Sequence, residues 1–392
     1  MKRGISFIIP VLLIAMSAAA CRRDPGLDSS KFTVDIIDGV HHVHNRAPQA
    51  GGSSPVSLEL VGKIGELEGR EEKDVLYDPV DAVRLPSGDI LVLEDRGCDV
   101  KRYNSRHEYL SSFGHKGQGP GDFVSPFRLL LSADRKRLCV ADDSRMSWFS
   151  TDGDFQVGFR LEIIAEGGTL QQEYREAARA VLSGGRVILP SPIAPWVESV
   201  KGNLLIIRDE AGKAVGSVGA IQGQDTPMLT LNANIACVAT DDRDHIFVAY
   251  KYQNRIDGFS PDGRKTFSSD RALPYEVKAG TRMLEFSSGS VKREFPYPFV
   301  TSVARGVAVD GRGRIWVMTY LKQPDQFGKF GEGVPPSACY AFDVFDGDGI
   351  WLFRVPFPDV GLTNFSICDD RLLIVDAENE SCVREYRIVE KH

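Results

Sequence analysis

Six times along its 392 residues the chain returns to one short apolar run: DILVLED, RLCVADD, RVILPSP, HIFVAYK, RIWVMTY and RLLIVDA. The equivalent residues are Ile90, Leu138, Val187, Ile246, Ile315 and Leu372, spaced by 48, 49, 59, 69 and 57 positions. Each run follows a tight turn rich in Gly and Asp, from Ser87-Gly88 in the first unit to Asp369-Asp370 in the last. Those residues supply the positive φ that such turns need. A fixed pattern repeated at this period marks an architecture built from stacked or radial units. The first unit, residues 78–123, reads as four short strands at 82–85, 89–94, 100–103 and 109–113. Four antiparallel strands make one propeller blade.

The last repeat offers three strands before the sequence ends, at 364–368, 372–376 and 383–388. The missing fourth is read in LELVGKI at 58–64, so an N-terminal strand completes the C-terminal blade and leaves no ring edge unpaired. The expected fold is an all-β, six-bladed propeller over residues 56–392. A hydrophobic content of 42% supports a core of that size, and 38 Gly with 21 Pro suit many turns.

The N-terminus follows other rules. Lys2 and Arg3, an apolar stretch at 5–16 and the small residues 17–20 form the three regions of a secretory signal, and Cys21 comes directly after. The layout resembles a bacterial lipoprotein signal, which implies removal of residues 1–20 and a lipid anchor on Cys21. Arg22 resembles outer-membrane sorting. Ordinary cleavage at Ala18–Ala20 is the alternative, with Cys21 incidental. Residues 21–55 are expected to be a tether with a leader strand near 32–44. His41, His42 and His44 have no other ligand candidates near them in sequence and read as a solvated strand end. Removal of Lys2 and Arg3 takes the net charge from −7 to −9, a poor match for polyanions, so nucleic acid is not an expected partner. No C-x-x-C spacing occurs among Cys98, Cys139, Cys237, Cys339, Cys368 and Cys382. Buried free thiols are expected, with a Cys98–Cys382 bond across the ring closure as the alternative.

From about residue 32 onward the chain resembles the six-bladed β-propeller lipoproteins of bacterial envelopes, related to NHL-repeat propellers. The residues that carry the resemblance are GHKGQGPGDF at 114–123, SPDG at 260–263 and DGRGRIWV at 310–317. The resemblance implies the fold strongly and the function weakly, since propellers serve binding, scaffolding and several chemistries.

Strand direction sorts the loops. Connections between blades, and loops between second and third strands, open on one face; the remaining turns open on the other and are short. The first face receives 114–126, 161–177, 190–202, 271–301 and 320–337, and long loops on a rigid scaffold are the usual place for a site. The expected ligand-binding residues are therefore His115, Lys116, Lys292, Tyr297, Tyr320 and Lys322. Packing is the competing role for the aromatic–proline run 295–299 and for Tyr320, Phe327 and Phe330. Gly114, Gly117, Gly119 and Gly121 read either as a weak phosphate cradle or as turn residues.

No nucleophile elbow appears, and of the propeller histidines His107, His115 and His245 the first falls in a short opposite-face turn and the last opens a second strand after another, so histidine chemistry is not expected. The expected function is a lipid-anchored envelope module that binds a protein, peptide or glycan, with no catalytic residue assigned. The alternative is a Ca²⁺-dependent lactonase or lyase acting on a sugar-derived substrate, as in gluconolactonase-like propellers. Ca²⁺ is the one cofactor entertained, and its ligands are unassigned. Asp78, Asp95, Asp142, Asp241, Asp310 and Asp376 recur near strand ends, where Asp commonly closes a turn.

Overall fold

A computed structural model describes residues 26–65, 75–142, 145–161, 179–191, 202–288, 291–325 and 329–391; side chains at 284–288, 291–293 and 295–297 are not described. Residues 1–20, read above as a signal, Cys21 and Phe327 therefore lie outside the described residues.

The chain opens with a hairpin, β1 (Phe32–Ile37) and β2 (Val40–Asn45), followed by β3 (Val56–Ile64). Blade one is β4 to β7: Pro79–Arg84, Ile90–Glu94, Asp99–Tyr103 and Tyr109–Phe113. Blade two is β8 to β11: Pro126–Leu131, Arg137–Asp142, Arg145–Ser150 and Phe155–Arg160. Blade three is β12 to β15: Ala180–Val181, Val187–Pro190, Asn203–Arg208 and Ala214–Ala220. Blade four is β16 to β19: Ala236–Thr240, Ile246–Tyr250, Ile256–Phe259 and Lys265–Arg271. A separate ribbon, β20 (Ala279–Ser288) with β21 (Val291–Val300), precedes blade five, β22 to β25: Ala304–Val309, Ile315–Tyr320, Tyr340–Phe345 and Trp351–Pro356. Blade six is β26 (Asn364–Cys368), β27 (Arg371–Asp376) and β28 (Cys382–Glu390), with β3 as its outer strand.

The first strand of each blade packs on the first strand of the next, and β26 packs on β4, so the ring closes. Residues 56–64 pair antiparallel with 383–390, which is the closure read from LELVGKI. Second strands lie between neighbouring blades and are buried on both sides, so their sequence is a continuous apolar run instead of an alternating one. Six apolar clusters fill the six blade interfaces. That between blades six and one joins Ile64, Leu76, Ile90, Val92 and Tyr103 to Leu373, Val375 and Val383.

Hairpins between third and fourth strands share one design. Gly153, Gly212, Gly263 and Gly349 sit at positive φ, and each donates its N–H to the carbonyl three residues back. The fourth position of a turn followed by a bulge requires a left-handed backbone, and the pairing register shifts beside these turns. In blade one that place belongs to His107, at φ 65°.

Two parts extend the ring. The leader is a hairpin, not a single strand, and β2 runs parallel to β19 on the outer edge of blade four. His44 there is exposed and its Nδ1 lies 2.6 Å from Asp270. The 271–301 connection, read as a loop, contains ten consecutive paired positions as β20–β21. Proline lacks a ladder donor, but Pro296 and Pro298 are two residues apart, so both imino nitrogens fall on the same edge of β21 and the other edge keeps its donors for pairing. Two short helices, Pro227–Ala233 and Pro336–Cys339, occur among the described residues, and no helix there is long and apolar enough to cross a membrane. The six described cysteines are free thiols, all buried except Cys368, so blades one and six are not joined through Cys98 and Cys382.

Candidate functional site at the axial channel

By strand direction, the ends of β7, β19 and β23 lead into the long connections on one face. His115 and Lys116 are exposed there, and the His115 ring reaches Asp122 at 3.0 Å. Their loop is self-supporting. Arg145 donates to the carbonyls of Gly117, Gln118 and Gly119, and a Cβ on Gly117 would collide with the Asp122 carboxylate. The glycines thus serve the turn. Lys292 pairs with Ser287 and Tyr297 with Arg282 in the ribbon, where their side chains are not described. Lys322 is exposed.

Tyr320 corrects the expectation. It is 5% exposed and its ring lies 5.2 Å from Tyr340 and 6.3 Å from Phe330, so it belongs to the blade-five core. The six expected residues are spread over the loop after blade one, the ribbon and blade five, and no contact joins the four whose side chains are described.

A cavity of about 450 Å³ opens instead at the other mouth of the channel, among the short turns between first and second strands. The stubs of five blades line it: Arg84 from blade one, Ser132–Arg135 from blade two, Thr240–Asp242 from blade four, Val309–Gly311 and Gly313 from blade five, and Ser366–Asp369 from blade six. Its depth comes from six strands converging on an axis, so it needs no long loop.

Most carboxylates around this mouth are committed. Asp241 accepts from the amides of Arg243 and His245 and lies 2.7 Å from His245 Nδ1. Asp310 accepts from the amides of Arg312 and Arg314, from Arg314 Nε and from the Trp316 indole. Burial works against the charge on Asp134, but the Ser132 hydroxyl and the amides of Lys136 and Gly184 hold its carboxyl below the usual range. Away from the mouth, Asp142 accepts from the amides of Val124 and Ser125, and Asp376 from that of Asn379. These are turn and strand-end closures. Among the described residues no group of three or more His, Cys, Asp and Glu is placed to hold a metal ion.

Two groups behave differently. Arg135 Nη1 reaches across to Asp369, 2.7 Å from Oδ1 and 2.8 Å from Oδ2. The pair joins blades two and six, which are not neighbours, and so spans the mouth above blade one. Both residues have left-handed backbones, φ 57° and 55°; Arg135, whose amide donates to the carbonyl three residues back, stands at the turn position that Gly88 and Gly313 hold in sister blades. Burial disfavours the Arg135 charge, but the Asp369 hydrogen bond and the charges of Cys368, Asp369 and Asp242 hold its pKa above the ordinary value. Cys368, also in the lining, has its thiol pushed up by burial, with Arg135 pulling the other way. Arg135, Asp369, Asp242 and Cys368 were missed in the sequence because the turns are short. The readable signal was a bulky arginine at a glycine position.

No protein-family model and no curated protein matches the chain. Solved structures do. A DUF4221-family protein of Bacteroides vulgatus aligns with TM-score 0.56 and 10% identity, over 85% of this chain and 98% of that one. A Bacteroides fragilis protein, provisionally described as exported, aligns with TM-score 0.52 and 10% identity, over 90% of this chain and all of that one. At such identity the likeness establishes the fold.

Proposed function

We propose that this chain is a lipid-anchored binding module of the cell envelope whose axial cavity takes a small ligand or a single protruding side chain. The observation that carries the reading is the cavity itself: its volume falls within the roughly 300–1,000 Å³ of ligand sites, on the axis of a rigid ring. The polar groups around it are held in place by their own turns, as Asp134 is by Ser132, Asp241 by His245 and Asp310 by Arg314. A library of small amines, acids, sugars and short peptides screened by ligand-observed NMR tests the reading. Thr240→Tyr, which fills the cavity from the end of β16, is expected to weaken the hits at least tenfold while leaving Tm within a few degrees. Hits that ignore Thr240→Tyr would remove the cavity from the account.

A second reading places a larger envelope partner on the long-loop face. It is supported by exposed His115, Lys116 and Lys322 on that face and by a ribbon with exposed Met283 and Phe299, next to Lys292 and Tyr297. Hits lost on combined Lys116→Ala and Lys322→Ala substitution, but kept in Thr240→Tyr, would favour it. The Ca²⁺-dependent lactonase or lyase reading is tested by melting residues 22–392 with EDTA and then with Ca²⁺; a rise of several degrees would establish a native-state metal site, and none is expected. Anchoring rests on the signal layout and Cys21: Cys21→Ser is expected to release the protein from the membrane fraction. A variant still fractionating with the outer membrane would remove the anchor from the proposal.

A further inference from the structure

Of the five aspartates in the lining, Asp134, Asp241 and Asp310 are closed into their own turns, which leaves Asp242 and Asp369 facing the mouth. Among the described residues no hydrogen-bond donor reaches the Asp242 carboxylate, and Asp242 still acts electrostatically on Arg135. Arg84, the other cation of the lining, is directed to Glu385, with Nε 3.1 Å from Oε1. The guanidinium of Arg135 is therefore the lining cation held across the mouth by Asp369, with Asp242 on the same rim. It arrives from a turn where a glycine would be at no steric cost.

We infer that Arg135 is a built-in occupant of the axial cavity, and that the cavity's ligand is a guanidinium or primary amine on a narrow aliphatic stem that displaces it. The lining carries five carboxylates against two guanidinium groups, so an incoming cation meets a favourable field and an anion does not. The end of a cationic side chain suits Asp369 because both of its carboxylate oxygens already lie within 2.8 Å of one nitrogen, Arg135 Nη1, a contact open to a guanidinium or an ammonium. The internal pair lowers apparent affinity, since ligand binds only the fraction of molecules in which Arg135 has left. The inference rests on the cavity being a binding site, and adds the charge and shape of what enters it.

The test titrates agmatine, which has a guanidinium at one end and an ammonium at the other, into wild type and Arg135→Gly. Glycine fits the φ of 57° at this position, so the variant keeps the turn. Agmatine is expected to bind Arg135→Gly at least tenfold more tightly than wild type, and to lose that gain when Asp369→Asn is added. Replacing the aminomethyl end by a carboxylate, as in 4-guanidinobutyrate, is expected to cost about tenfold in Arg135→Gly and little in Arg135→Gly/Asp242→Asn. Acetyl-Gly-Arg-Gly-amide separates the sources: tighter binding than agmatine assigns a peptide side chain, weaker binding a free amine. Equal agmatine affinity in wild type and Arg135→Gly, binding that survives Asp369→Asn, or glutarate binding as well as agmatine would overturn the inference. If neutral or anionic hits from the library are lost in Thr240→Tyr while agmatine fails, the binding site stands and its cationic preference falls.

Discussion

His107 occupies a position that glycine holds in blades two to five, and its side chain accounts for the exception. The ring lies over Gly62 of β3, where a Cβ would collide with it, and Nε2 comes within 2.8 Å of Glu385 Oε2. Arg84 and Arg371 also face Glu385, at 3.1 and 3.9 Å. Two guanidinium groups and an imidazole from blades one and six thus converge on a carboxylate that is 3% exposed, at the seam where the ring closes. Burial pushes the Glu385 carboxyl up, but the His107 hydrogen bond and the charges of Arg84, His107 and Arg371 outweigh it and hold the pKa below the usual range. A depressed folded-state pKa contributes stability above the unfolded value, near 4.3, and loses it as pH falls through the folded value. Glu385→Gln is expected to cost about 2–4 kcal/mol at pH 7 and progressively less toward pH 3, read by denaturant unfolding across pH. A penalty independent of pH would assign the residue to packing alone. Tyr320 gives the reverse case, a residue expected to meet ligand and found in the core. Tyr320→Ala is expected to lower stability by about 3–5 kcal/mol, and unchanged melting would return it to the surface.

Elements were legible where their surroundings leave one pattern. Second strands such as Ile246–Tyr250 and Ile315–Tyr320 are covered on both faces, so their runs announce themselves. The closing strand was legible because the last repeat is one strand short. The β20–β21 ribbon was not, because Pro296 and Pro298 are loop signals whose exemption, an edge that needs no donor, depends on pairing that spacing does not display. The leader's destination was equally hidden: a parallel partner more than 220 residues away leaves no local trace. Its attachment depends on Asn45. The Asn45 amide donates to Ser269 Oγ and to the carbonyls of Asp270 and Gly349, and its oxygen accepts from the Trp351 amide. It therefore staples the leader to blades four and five. Asn45→Ala leaves several buried groups unpaired and is expected to cost about 2–4 kcal/mol, with faster amide exchange confined to β1, β2 and β19. Exchange unchanged in those strands would show that the β2–β19 ladder and the packing of Phe32, Val43 and Ile350 hold the leader without Asn45.

At the scale of the whole molecule, loop length and the described cavity point to opposite faces. Long connections gather on one face, as strand direction requires, yet the described cavity lies at the mouth framed by the shortest turns. A cavity on the symmetry axis is a property of the ring, and no single repeat carries its signature. What each repeat does carry is its turn chemistry. Non-glycine residues at positive φ include His107, Arg135, Asp244 and Asp369, and each bonds to another blade: His107 to Glu385, Arg135 to Asp369, and Asp244 to Ser183 and Arg186. At these four left-handed positions a side chain in place of glycine ties blades together, and Arg135 and Asp369 also line the axial cavity. The most direct test of the axial site is a crystal of residues 22–392 soaked with a mixture of small amines, acids and sugars. The account predicts density in the axial cavity between Asp369 and Thr240, with Arg135 turned aside. Density confined to the long-loop face, with Arg135 still on Asp369, would contradict it.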